Sequence, residues 1–143
     1  MSAGLSVVLD TNVLVSAALW RHSTPGQVFE WAAGAGRLVV CEASLQELYK
    51  VLQRPKFDRI AARAQRLAFV DLVRTHGHPV EPQSQHHRAV QGACRDADDE
   101  LFLALALSAQ AQTIVSGDDD LLTLHPWRGI TICTPAQYLE RAR

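Results

Sequence analysis

The chain has 143 residues, 48% of them apolar and 20% charged, which suits one soluble globular domain over residues 1–143 that buries roughly 68% of its unfolded surface. The formal net charge of -1 excludes a global basic field, so any polyanion site has to be a local patch. The fourteen cations are Lys50, Lys56 and twelve arginines, and the arginine fork suits bidentate phosphate contacts, although high genomic G+C content gives the same bias.

Short β-rich runs alternate with helix-period segments. Val7 to Leu9 reads as a first strand and Asn12 to Trp20 as a helix, capped by Thr11 or Asn12. Thr24-Pro25-Gly26-Gln27 is a capping-box pattern opening a second helix through Ala33, which stops at Gly34 or Gly36. Leu38 to Cys41 is a second strand, and Ser44 to Gln53 a helix broken by Pro55. Phe57 to Thr75 reads as one long helix with Arg59, Arg63 and Arg66 on a single face and Ile60, Leu67 and Val70 on another. Residues 77 to 95 carry the weakest pattern, with a short strand around Val80; His76, His78, His86 and His87 fall in this polar, Pro-containing stretch or at its edge and read as surface loop. Ala97 to Ala109 is an apolar helix, and Thr113 to Ser116 and Ile130 to Cys133 are strands. Thr134-Pro135-Ala136-Gln137 repeats the capping pattern before a last helix.

Strands separated by helices predict an α/β fold with a mainly parallel sheet covered on both faces, and such sheets bind ligands beyond the carboxyl ends of their strands. No run approaches a membrane span, and the N-terminus lacks a basic region before an apolar stretch. Cys41, Cys94 and Cys133 are odd in number and far apart, which suits a reducing, cytoplasmic setting and argues against a zinc site or disulfide scaffold.

Seven of the fifteen acidic residues fall in two runs, Asp96-Ala97-Asp98-Asp99-Glu100 and Asp118-Asp119-Asp120. Asp10 closes the first strand. Gathered carboxylates repel one another, so a fold that collects them calls for a cation, and the chemistry that uses such a cation is phosphate-ester cleavage. Each residue also has a local reading. Asp10 can simply cap the following helix. Glu47 completes the capping box Ser44-Leu45-Gln46-Glu47, which on pattern alone is its better role. Asp96 and Asp99 can serve the first turn of their helix, although neither capping nor the macrodipole calls for four acids in five residues. Spacing does not choose between Asp98 and Asp99, and the Asp118 run also reads as a solvated turn.

Four pieces in order, Leu9-Asp10-Thr11-Asn12-Val13-Leu14, the Ser44-to-Leu52 helix with Glu47, Arg95-Asp96-Ala97-Asp98-Asp99, and Val115-Ser116-Gly117-Asp118-Asp119-Asp120-Leu121-Leu122, resemble the PIN-domain nucleases. The likeness is to their VapC-like branch, the toxins of toxin–antitoxin pairs. It spans residues 7 to 124 and implies a three-layer α/β/α sandwich whose acidic cleft holds Mg²⁺ or Mn²⁺ and cleaves RNA to a 5′-phosphate and a 3′-hydroxyl. It implies Asp10, Glu47, Asp99 and Asp118 as the metal-binding and catalytic quartet, which favours Asp99 over Asp98 and lifts Glu47 above its capping role. It also implies Ser116 as the hydroxyl that orients the first Asp, with Asn12, Asp96 and Asp120 in support. Arg59, Arg63 and Arg66 are candidates for the RNA backbone beside the bland reading of a solvated helix face. A small antitoxin protein is the expected partner, with a homodimer as a further expectation. Three rivals are a PIN fold kept for RNA binding or as a complex subunit, a receiver-like Mg²⁺ signalling module, and a haloacid-dehalogenase phosphatase. The receiver needs a late lysine, and the last here is Lys56. The phosphatase needs a second Asp at position 12, which is Asn.

Overall fold

A computed structural model describes residues 5–142. Its strands are β1 (Ser6–Leu9), β2 (Arg37–Val40), β3 (His78–Pro79), β4 (Thr113–Val115) and β5 (Thr131–Cys133), all parallel, in the order β3-β2-β1-β4-β5. Val7 of β1 sits opposite Leu38 on one side and Thr113 on the other. The chain therefore leaves β1 in one direction for β2 and β3 and reaches β4 and β5 on the opposite side. The strand order reverses between β1 and β4, and crevices of this sheet type open there.

Strand side chains alternate between two cores. Val7 and Leu9 face a cluster with α1 (Thr11–Leu19), α2 (Thr24–Gly34), α3 (Glu42–Leu52), α4 (Arg63–His76) and α8 (Pro135–Ala142), through residues such as Val13, Phe29, Leu48, Phe69 and Leu139. Val8, Ile114 and Ile132 face the other cluster, with α5 (Ser84–Val90), α6 (Ala97–Ala109) and α7 (Asp119–Leu122), through Val90, Leu103 and Leu121. Because both faces are covered, β1 is buried along its whole length, and its Val7-Val8-Leu9 reads as an unbroken apolar run. The three-layer α/β/α arrangement is the one expected.

Several boundaries differ from the pattern reading, each for a local reason. Asp10, not Thr11 or Asn12, caps α1, because its carboxylate accepts from Val13 N at 2.9 Å. Ser23 rather than Thr24 caps α2, accepting from Gly26 N at 3.2 Å. A Cβ on Gly26 would lie 2.2 Å from the Arg21 carbonyl oxygen, so only glycine allows that turn to close. At α8 the capping box forms as read, with Thr134 N donating to Gln137 Oε1 and Gln137 N to Thr134 Oγ1.

The long helix expected from Phe57 to Thr75 is not formed. Pro55–Phe57 make a 3-10 turn, turns follow, and α4 starts only at Arg63. Pro55 has no N–H to continue α3. Arg59 and Ile60 are thus exposed turn residues rather than members of a helix face. The weak segment 77–95 holds β3 and α5 instead of loop alone. His78 lies in β3, while His86 and His87 lie in α5.

Candidate metal centre

Three helices begin at the carboxyl ends of the sheet, and each is capped by an aspartate of the cleft. Asp10 ends β1 and caps α1. Asp96 caps α6 by accepting from Asp98 N at 3.0 Å. Asp118 follows β4 and caps α7 by accepting from Asp120 N at 2.9 Å. Capping by Asp at such junctions is ordinary helix chemistry. What is not ordinary is that the capped ends face one cavity of about 340 Å³, lined among others by Asp10, Asn12, Glu47, Asp96, Asp98, Asp99 and Asp118.

Ser116 ties two of these aspartates together. It is fully buried, its hydroxyl donates to Asp10 Oδ2, and its oxygen accepts from Asp118 N at 2.9 Å. Asp10 thereby uses one oxygen for the α1 cap and the other for Ser116. Burial raises its carboxyl pKa above the usual value, and the Asp118 charge adds to this, against the lowering effect of the bonds from Ser116 and Val13.

Asp99 is strongly perturbed as well. It is 9% exposed, and its Oδ2 is buried with no hydrogen-bond partner among the described residues. Its pKa is pushed up to about 7, first by burial, then by hydrogen bonding to Asp118 and the charges of Asp118, Asp96 and Asp10. A carboxylate that is buried, repelled and short of a donor takes up either a proton or a cation. Carboxylate oxygens of Asp99, Asp118 and Asp120 lie within 4.8 Å of one another, close enough to share one cation. The donor set is all carboxylate, which suits a hard divalent ion such as Mg²⁺ or Mn²⁺ over zinc.

Glu47 reaches the cavity from α3. The capping box read at Ser44-Leu45-Gln46-Glu47 does not form, because α3 starts two residues earlier with Cys41 as its cap. Ser44 takes the third helical position, accepting from Cys41 N at 3.1 Å and donating to Cys41 O at 2.9 Å. That leaves Glu47 half-buried on the cleft face. Asp98 is exposed at the rim while Asp99 points inward. Glu100 is held elsewhere, its carboxylate accepting from Gly92 N at 2.9 Å and Cys94 N at 3.3 Å.

The arginine face requires correction. Arg66 is fully buried; it donates to the carbonyls of Leu52 and Arg54, each at 3.0 Å, and pairs with Asp58. It cannot lie against RNA. Arg63 donates to Gln53 at 3.0 Å, and neither it nor Arg59 lines the cavity. Arg54 does line it, and the pattern reading passed it over. The available signal was spacing, since Glu47, Val51 and Arg54 follow i, i+4, i+7.

Residues 6–120 match the family model for the PIN domain. The chain belongs to the PIN-domain family. Two solved structures share its fold. VapBC2 from Rickettsia felis, bound to a DNA fragment from their promoter, aligns with a TM-score of 0.65 and 14% identity over 91% of this chain and 98% of that one. PAE2754 from Pyrobaculum aerophilum aligns with a TM-score of 0.69 and 15% identity over 99% and 92%. At these identities the likeness is one of fold. No curated protein sequence matches the chain. PIN domains are nucleases as a family, and the all-parallel sheet with its acidic cleft is this PIN domain's version of that architecture. Among the described residues no helix is long and apolar enough to cross a membrane.

Proposed function

We propose that this PIN domain is a divalent-metal-dependent endoribonuclease and the toxin of a toxin–antitoxin pair, with a small antitoxin as partner. The observation that carries the catalytic part is the buried, partnerless Oδ2 of Asp99 beside Asp118 and Asp120 in a cleft that Asp10 and Glu47 also line. The toxin part is supported by the VapC-like motif order and by the fold shared with VapBC2.

Asp99, Asp118 and Asp120 would hold one Mg²⁺ or Mn²⁺, and Asp10 and Glu47 would complete the set, directly or through water. Such an ion supplies charge to a phosphate oxygen and lowers the pKa of water. The protein's residues do the positioning. Ser116 fixes the Asp10 carboxylate, Asp10 and Asp118 are oriented by the helix amides they cap, and Asp99 is kept close to Asp118 by the first turn of α6. Among the described residues no His or Lys lines the cavity, so the groups that could take a proton from an attacking water would be the carboxylates or solvent. Purified protein should cleave single-stranded RNA with Mn²⁺ and stop when EDTA is added. Cleavage that continues in EDTA would remove the metal from the mechanism, and binding without cleavage would favour the RNA-binding subunit instead.

A further inference from the structure

Two arginines meet at the C-terminal end of α3, and their circumstances are opposite. Arg66 is buried and donates to the carbonyls of Leu52 and Arg54, groups of the kind a helix end leaves without partners. It also brings positive charge to the negative end of the helix. The capping work available to a cation there is therefore already done. Arg54 stands one residue beyond the α3 cap, Gln53. It is exposed, and among the described residues its guanidinium makes no ion pair or hydrogen bond. Yet it lines the same cavity as Asp10, Glu47, Asp99 and Asp118.

An arginine kept only to offset those carboxylates would pair with one of them. This one is held apart. Its backbone is fixed by the buried Arg66, itself anchored to Asp58, while its side chain is open to the cleft. Arg54 follows Glu47 by seven residues, just past the end of α3, so at about 1.5 Å per residue their backbones are roughly 10 Å apart. A guanidinium has donors only and no lone pair for a metal ion, so it suits an anionic group of the bound strand. The planar fork of arginine donates bidentately to phosphate oxygens.

Resting on the nuclease reading, we propose that Arg54 binds a backbone phosphate flanking the scissile one and so holds the RNA strand across the cleft, with Arg66 as its positioning residue. A contact to a non-reacting phosphate strengthens ground state and transition state alike, so its loss raises KM and leaves kcat.

The test uses the full chain and a short fluorescent single-stranded RNA. Binding is measured in EDTA across a salt series, cleavage is measured with Mn²⁺, and the Mn²⁺-induced melting shift is recorded for Arg54→Gln, Arg54→Lys and Arg59→Gln. Arg54→Gln should weaken binding and raise KM roughly ten- to a hundredfold, as loss of a charged hydrogen bond does, with kcat within about threefold. The slope of log K against log salt should fall by about 0.7, one single-strand phosphate contact, and the Mn²⁺ shift should persist. Arg54→Lys should keep the slope with intermediate affinity, and Arg59→Gln should behave as wild type. Wild-type affinity and slope in Arg54→Gln overturn the proposal, as does an equal loss in Arg59→Gln. A fall in kcat with unchanged KM also overturns it, because Arg54 would then act on the reacting phosphate. If wild type binds RNA without cleaving it, and Arg54→Gln alone weakens that binding, the contact stands and the nuclease reading fails. If wild type binds no RNA, both fail.

Discussion

Asp99→Asn measures the repulsion stored in the cleft. In the folded protein, burial and the charges of Asp118, Asp96 and Asp10 raise the Asp99 carboxyl from 3.8 to about 7. A raised native value means the folded state holds this proton more tightly than the unfolded chain. The contribution to stability is then fully present below about pH 4 and is lost as pH climbs through 7. At 1.36 kcal/mol per pH unit the whole rise would be worth roughly 4 kcal/mol. Asp118 and Asp120 are partly open to solvent, and screening there reduces the realised penalty to about 1–2 kcal/mol. Asn carries no charge and can donate to Asp118. Metal-free Asp99→Asn should therefore melt about 3–6 °C above wild type near pH 8.5, and the advantage should shrink as pH falls and vanish below about pH 4, where Asp99 is protonated in the folded and the unfolded wild type alike. Saturating Mn²⁺ should reverse the order, because wild type gains about 2.7 kcal/mol at a hundred times Kd and the variant has lost a ligand. Melting curves at both pH values, in EDTA and in Mn²⁺, check this. A variant that melts below wild type in EDTA at both pH values would refute the stored repulsion.

Asp99→Asn should also abolish RNA cleavage in the folded protein, whereas Asp98→Asn, at the rim, should keep substantial activity; the opposite result would shift the site by one residue. Glu47→Gln should lose cleavage by orders of magnitude with its melting temperature held or raised, since Glu47 takes no part in capping α3, and full activity would remove it from the cleft chemistry. Ser116→Ala should cost about 1–3 kcal/mol in urea unfolding, because Asp118 N–H loses its buried acceptor and Asp10 its donor; an unchanged midpoint would mean that water replaces the hydroxyl. Arg66→Ala should cost about 3 kcal/mol by the same measurement, from lost packing and two carbonyls left unpartnered, and a neutral result would contradict its burial.

The apolar framework was legible because its elements are continuous apolar runs of distinct length. Val7 to Leu9, Thr113 to Val115 and the Ala97–Ala109 helix occur where short β-rich runs and one long apolar run place them. The acidic runs were legible as composition. What the sequence did not carry was direction. Arg59, Arg63 and Arg66 have helical spacing, but Pro55 and the Asp58–Arg66 pair turn the chain away before α4 begins, and Arg66 goes into the core. Local spacing does not contain that tertiary contact. The segment 77–95 failed differently: β3 is two residues long and α5 seven, too short for either period to register. α7, four residues, was hidden inside the Asp118 run for the same reason.

For Asp10, Asp96 and Asp118 the sequence posed helix capping and cation binding as competing roles, and the capping seen in the structure leaves room for the other. Each caps a helix with one carboxylate oxygen, at α1, α6 and α7 respectively. A carboxylate has two oxygens and several lone pairs, so one bonded to an amide leaves capacity toward the cleft. The cap also fixes the carboxylate's orientation, which a ligand needs. Three helix starts bring their partial positive ends to the cavity, each worth about 0.3–1 kcal/mol to a nearby anion, and this offsets part of the repulsion that gathering the acids creates. The offset is incomplete where capping is absent. Asp99, which caps nothing, is the aspartate whose buried oxygen is left without a partner among the described residues and whose carboxyl is pushed up to about 7. The fold thus spends its helix ends on the outer carboxylates and leaves the central one with the largest unmet demand for a positive partner.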